Sequence, residues 1–149
     1  MIPFQNPASA TAPRKVLVID DNPIIQRSVY FTLRDKGFTV LMAGTVSDAF
    51  NLIRQQRPDL ILLDLNFPVE ASDFAGSAWD GFTAIEWLRR TGDFNHIPVI
   101  VISGTKAEES RPRALAAGAV AYLEKPLDSE TLQAAVMAAL EKNEPPAQA

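Results

Sequence analysis

"KVLVIDDNPIIQRSVYFTLRDKG", residues 15–37, holds one complete structural unit and fixes how the rest is read. Val16 to Ile19 form an unbroken apolar run rich in β-branched side chains, as expected of a strand covered on both faces. Asp20 and Asp21 stand at the carboxyl end of that run. Ile25, Val29 and Leu33 then recur at helical spacing until Gly37 stops the pattern. A covered strand followed by a helix is the opening of a parallel crossover.

Moving outward, the same unit returns to the end of the chain. "FTVLMA" (38–43) reads as a second strand, and Thr45 with Asp48 can cap a helix carrying Ala49, Leu52 and Ile53 that ends before Pro58. "LILLDL" (60–65) is the third and most apolar strand, followed by a helix over 82–90 with Phe82, Ile85 and Leu88 on one face. "IPVIVIS" (97–103) is the fourth strand, with a helix over about 110–117 ending at Gly118. "AVAYLEK" (119–125) is the fifth. The last helix, 128–142, points Leu132, Ala135, Val136 and Leu140 inward and has Asp128 or Ser129 as its cap. Five strand–helix units without a sequence repeat predict an α/β domain over 14–142, a doubly wound parallel sheet. The stretches 1–13 and 143–149, rich in Pro and Ala, read as loose tails.

Composition narrows the function. At 149 residues, 47% hydrophobic and 21% charged, the chain suits one ordinary globular domain. A net charge of -4 without a Lys/Arg cluster argues against general nucleic-acid binding. The absence of cysteine removes disulfides and thiolate metal sites. "MIPFQNPASATAP" (1–13) lacks the basic and apolar regions of a secretory signal, and "ALAAGAVAYL" (114–123) is too short to span a bilayer. A cytoplasmic protein without a membrane partner is expected.

In a doubly wound sheet, ligands sit outside the carboxyl ends of the strands. Here those ends carry Asp20-Asp21, Asp64, Ser103-Gly104-Thr105 and Lys125-Pro126, and only the second strand ends blandly, in Ala43-Gly44. Two carboxylates about 4 Å apart repel by roughly 4 kcal/mol at an effective dielectric of 20, so such a crevice demands cations. Lys125 supplies one charge. An oxygen-only ligand set suits Mg²⁺, or Mn²⁺. Carboxylate nucleophile, hydrated metal, hydroxyl and lysine together make a phosphoryl-transfer arrangement.

"VLVIDDNP" (16–23), "DLILLDLNFP" (59–68), "PVIVISG" (98–104) and "AYLEKPL" (121–127) resemble, in order and spacing, the receiver domain of bacterial two-component response regulators, of the CheY-like type. The resemblance covers about 14–142. It implies a flavodoxin-like (βα)5 fold with strand order 2-1-3-4-5, and phosphorylation by a histidine kinase or a histidine phosphotransfer protein. It assigns Asp64 as phosphoacceptor, with Asp20, Asp21 and the Asn66 backbone carbonyl joining Asp64 at Mg²⁺. Ser103 becomes the hydroxyl that moves to the phosphoryl group, Lys125 its partner, and the bond to Pro126 is expected cis. Tyr122 takes the aromatic switch position, altering a partner-binding face built from the fourth helix, fifth strand and fifth helix. Asn66 and Thr105 would modulate phosphoryl lifetime. A downstream protein target and a monomer or weak homodimer are implied. Activity would be confined to phosphorylation and dephosphorylation of its own aspartate, so no separate metabolite is turned over. His96, Trp87 and the Ala-rich last helix read as structural.

Two departures stand out. The family's Met after the acceptor is Phe67 here, and Asp80-Gly81 arrives late, after an insertion over about 69–79 with Phe74 and Trp79 as possible anchors. Pro112 lies where the fourth helix is expected, so that helix should begin near Ser110, with 106–109 irregular or a separate turn. The competing readings are a receiver that binds partners without phosphorylation and a receiver cut from a hybrid kinase, although Met1 favours a complete short product. A haloacid-dehalogenase-type phosphatase fits poorly, because "DLNFP" (64–68) lacks a second acid two residues on.

Overall fold

The computed structural model describes residues 13–65, 81–104 and 107–142. Its elements alternate: β1 (Lys15–Ile19), α1 (Pro23–Arg34), β2 (Thr39–Ala43), α2 (Val46–Gln56), β3 (Leu60–Asp64), α3 (Gly81–Arg90), β4 (Val99–Ser103), α4 (Ala107–Ala117), β5 (Ala121–Glu124) and α5 (Ser129–Lys142). All neighbouring strands pair in parallel, in the order β2-β1-β3-β4-β5. Residues 1–12, the 143–149 tail and the 69–79 insertion lie outside the described residues, as do Asn66 and Thr105.

Strand alternation divides the core into two layers. Val16, Val18, Leu60, Leu62, Ile100 and Ile102 meet Val29 and Leu33 of α1 and Leu132 and Val136 of α5. Leu17, Ile19, Ile61, Leu63, Val99 and Val101 face the opposite way, onto Ala49 and Ile53 of α2, Ile85 and Leu88 of α3, and Ala114 of α4. Every residue of β3 and β4 is buried, which is why those two strands are the most apolar in the sequence. The helix ends follow local chemistry. Thr45 Oγ1 accepts from the Asp48 N–H at 3.1 Å, and Asp128 Oδ2 accepts from the Thr131 N–H at 2.9 Å. Arg57 closes α2 in the left-handed conformation (φ 48°), its guanidinium over the Phe94 ring.

The start of α4 corrects the sequence reading. The helix begins at Ala107, not near Ser110, and Pro112 sits inside it. A proline there removes one backbone bond, to the Glu108 carbonyl. Glu108 is exposed, so water can serve that carbonyl. Beyond the proline the helix is well held: Ala114 is fully buried and the Arg113 guanidinium lies 4.0 Å from the Phe82 ring centre on α3. Gly118 ends α4 at φ 123°, packed against the Arg89 side chain. Trp87 packs between Phe50 and Phe94, with ring centres 4.7 and 6.3 Å away, and His96 is exposed in the loop before β4.

Candidate functional site

Asp20 follows directly on β1. Its N–H still bonds the Ala43 carbonyl of β2 at 3.1 Å, and its Oδ1 accepts from the Asn22 N–H at 2.9 Å. Asn22 in turn caps α1 by accepting from the Ile24 N–H at 2.9 Å, with Pro23 in the first turn, where no N–H is needed. This tight turn leaves Asp20 buried and Asp21 exposed next to it. One turn into α1, Gln26 reaches back and donates from Nε2 to the Asp20 backbone carbonyl.

Asp64 ends β3, the central strand, and is 4% exposed. Ser103 ends β4 and is fully buried. Lys125 follows β5, its N–H donating to the Ser103 carbonyl at 2.8 Å, and its peptide bond to Pro126 is cis. The ammonium stands between two carboxylates, 3.3 Å from Asp64 Oδ1 and 3.6 Å from Asp20 Oδ2. From the end of the edge strand β5 the lysine thus carries its charge to buried acids on β1 and β3.

Carboxylate oxygens of Asp20, Asp21 and Asp64 lie within 4.8 Å of one another. Among the described residues, one ammonium faces three clustered carboxylates, two of them buried. Burial pushes the Asp20 carboxyl above its ordinary 3.8; repulsion from Asp64 and Asp21 adds to this, while the Asn22 amide and Lys125 oppose it. Asp20 Oδ2 is buried and makes no hydrogen bond. A buried oxygen that pairs with Lys125 but makes no hydrogen bond, within a cluster of three carboxylates, fits a hard divalent cation such as Mg²⁺ or Mn²⁺. The arrangement thus offers a carboxylate nucleophile at Asp64, a fixed cation at Lys125 and a place for a second cation.

Of the residues singled out in the sequence, the fold brings Asp20, Asp21, Asp64, Ser103 and Lys125 to one end of the sheet. Tyr122 lies apart from them on β5, opposite Val101 and packed in the layer that contains Ala114 of α4. Asn22 and Gln26 were not anticipated. Asn22 carries a readable signal, a capping residue directly before a proline, whereas Gln26 carries none, since its partner is a backbone atom presented only by the folded turn.

A family model described as the response regulator receiver domain matches residues 16–137. Among curated proteins, the chain is 34% identical over 132 residues to the phosphate regulon transcriptional regulatory protein PhoB of Escherichia coli (strain K12), covering 89% of this chain and 54% of that protein. It is 32% identical over 133 residues to the response regulator MprA of Mycobacterium sp. (strain KMS), covering 89% and 53%. The chain therefore spans about half the length of these relatives. Among solved structures, the chemotaxis response regulator CheY4 of Vibrio cholerae matches at TM-score 0.74 and 28% identity, covering 85% of this chain and 98% of that one. A response regulator receiver domain protein (CheY-like) from Methanospirillum hungatei shares the fold at TM-score 0.74 and 23% identity, covering 88% and 96%.

Proposed function

The chain belongs to the response regulator receiver domain family of two-component signalling, and on that premise we propose that it takes a phosphoryl group onto Asp64 and uses it to switch a binding face. The observation that carries the reading is the meeting of Lys125 with Asp64 and Asp20 at 3.3 and 3.6 Å, within a cluster of three carboxylates. A carboxylate oxygen of Asp64 attacks phosphorus, an O–P bond forms, and the P–N bond of a phosphohistidine donor (or the P–O bond of acetyl phosphate) breaks, its electron pair leaving with the donor. Lys125 neutralises charge on the phosphoryl oxygens and Ser103 donates its hydroxyl to one of them. Asp20, Asp21 and Asp64 would hold Mg²⁺, which would supply further neutralisation of charge on the phosphoryl oxygens. Hydrolysis of the aspartyl phosphate returns the free carboxylate, so the chain turns over only its own modification. The Asn66 carbonyl and the Asn66 and Thr105 side chains belong to the same proposal, as metal ligand and lifetime modulators.

The donor is a histidine kinase or a histidine phosphotransfer protein, and the readout is a downstream protein target, in the cytoplasm. One surface beside the crevice suits a docking partner. On α1, which starts two residues after Asp21, Ile24 is 76% and Phe31 48% exposed, with Met42 of β2 beside Phe31 and Arg27 and Arg34 on the same helix. On the other side Tyr122 and Ser103 lie on adjacent strands under α4, so a shift at Ser103 has a short path to the face formed by α4, β5 and α5.

The test is intact mass after incubation with acetyl phosphate, with and without Mg²⁺, on the wild type and Asp64→Asn. One Mg²⁺-dependent phosphoryl adduct that the variant lacks is expected. An unmodified wild type at saturating Mg²⁺ overturns the reading in favour of a receiver that binds partners without phosphorylation.

A further inference from the structure

We propose that Gln26 is a positioning residue for the acidic turn, setting how tightly Asp20 and Asp21 hold a divalent cation. The inference rests on the receiver reading of the site. Register between β1 and β2 ends at Ile19 opposite Ala43, and Asp20 adds one more bond through its N–H. The Asp20 carbonyl lies beyond that ladder, and it takes its hydrogen bond from the Gln26 side chain. Gln26 is itself fixed, half-buried and with its N–H on the Asn22 carbonyl at 3.0 Å. The turn is therefore held at three points: β2 through Ala43, its own cap through Asn22, and the body of α1 through Gln26.

The Asn22 bonds tie the acidic pair to the first turn of α1, and Gln26 adds the tie from a side chain to the Asp20 backbone carbonyl itself. The buried Asp20 Oδ2 and the exposed Asp21 carboxylate must face one point despite mutual repulsion. A turn free to relax would separate them until a cation drew them together, and that reorganisation would weaken binding. Gln26 holds the turn closed beforehand. It touches neither cation nor phosphoryl group and acts through the Asp20 backbone.

The experiment uses the full chain as wild type, Gln26→Met and Gln26→Asn, the last keeping the amide one carbon short of its partner. Calorimetric titration with MgCl₂ alone gives the dissociation constant, and acetyl phosphate uptake against Mg²⁺ gives the half-saturating concentration and the plateau rate. Loss of one neutral hydrogen bond predicts both variants to bind Mg²⁺ about three- to tenfold more weakly. Their plateau rates at saturating Mg²⁺ are expected to equal the wild type's. Variants that only lose thermal stability, with Mg²⁺ affinity unchanged, refute the positioning role and leave the site reading standing. A wild type that takes up no Mg²⁺ refutes the site reading itself.

Discussion

Asp20 shows most clearly what a single residue contributes at this site. Its carboxyl is 1% exposed and the cost of burial outweighs the pull of Lys125, so without metal its charge opposes folding. The sign follows from its raised pKa: the folded state holds the proton more tightly than the unfolded state. Its stabilising share is complete below the ordinary carboxylate value of 3.8 and is lost as pH rises through the higher folded value. Asp20→Asn should accordingly stabilise the metal-free protein at pH 7 by about 1 kcal/mol, with a smaller gain at pH 4, while weakening Mg²⁺ binding. Urea denaturation in EDTA at the two pH values measures this, and no gain at pH 7 would count against a net cost of burying that charge. At this scale the sequence was legible wherever a residue stood at a strand end: the placement of Asp20, Asp64, Ser103 and Lys125 at one end of the sheet was legible from position alone. Gln26 was not, because a glutamine in a helix has no distinctive pattern until its backbone partner is known.

At the level of elements, α4 is where local rules and packing disagree. Proline preference placed the helix start near Ser110, and packing of the following turn placed it at Ala107. Ala114 buried in the core and Arg113 over Phe82 anchor the segment after Pro112, so the preceding turn continues the helix at the cost of one solvated carbonyl. Pro112→Ala restores the missing N–H and should raise stability by about 1–3 kcal/mol in urea denaturation, with slower amide exchange across 107–117. A destabilised variant would mean that the proline shapes a contact that alanine cannot replace. The other end of α4 predicts the opposite sign. A Cβ on Gly118 would lie 2.6 Å from Arg89 Cγ, and φ is 123°. Arg89 cannot easily withdraw, since its guanidinium donates to the Asn95 carbonyl at 2.9 Å and to the Ile97 carbonyl. Gly118→Ala should therefore cost about 1–3 kcal/mol by the same measurement.

For the whole molecule, the acidic crevice links ligand to stability. A cation that binds only the folded state at ten times its dissociation constant adds about 1.4 kcal/mol. For a domain of this size that raises the melting temperature by about 4 °C. Thermal melts in EDTA and in rising MgCl₂ test this, with Asp21→Asn expected to lose the shift, and an unchanged wild-type melt would contradict a divalent site. The sequence by itself determined the alternation of five strands and five helices, the parallel sheet and the residues at its carboxyl end. These are local properties: continuous apolar runs demand cover on both faces, helical spacing demands one inward face, and parallel strands demand crossovers. The resemblance of four motifs then placed the chain in a family and implied the strand order. Tertiary structure alone decided the rest. It set Lys125 between Asp64 and Asp20, brought three carboxylates from two strands within 4.8 Å, and started α4 ahead of its proline. It also turned Gln26 onto the acidic turn. Each of these depends on distances between residues far apart in the chain or on a turn's exact shape, and side-chain pattern records neither.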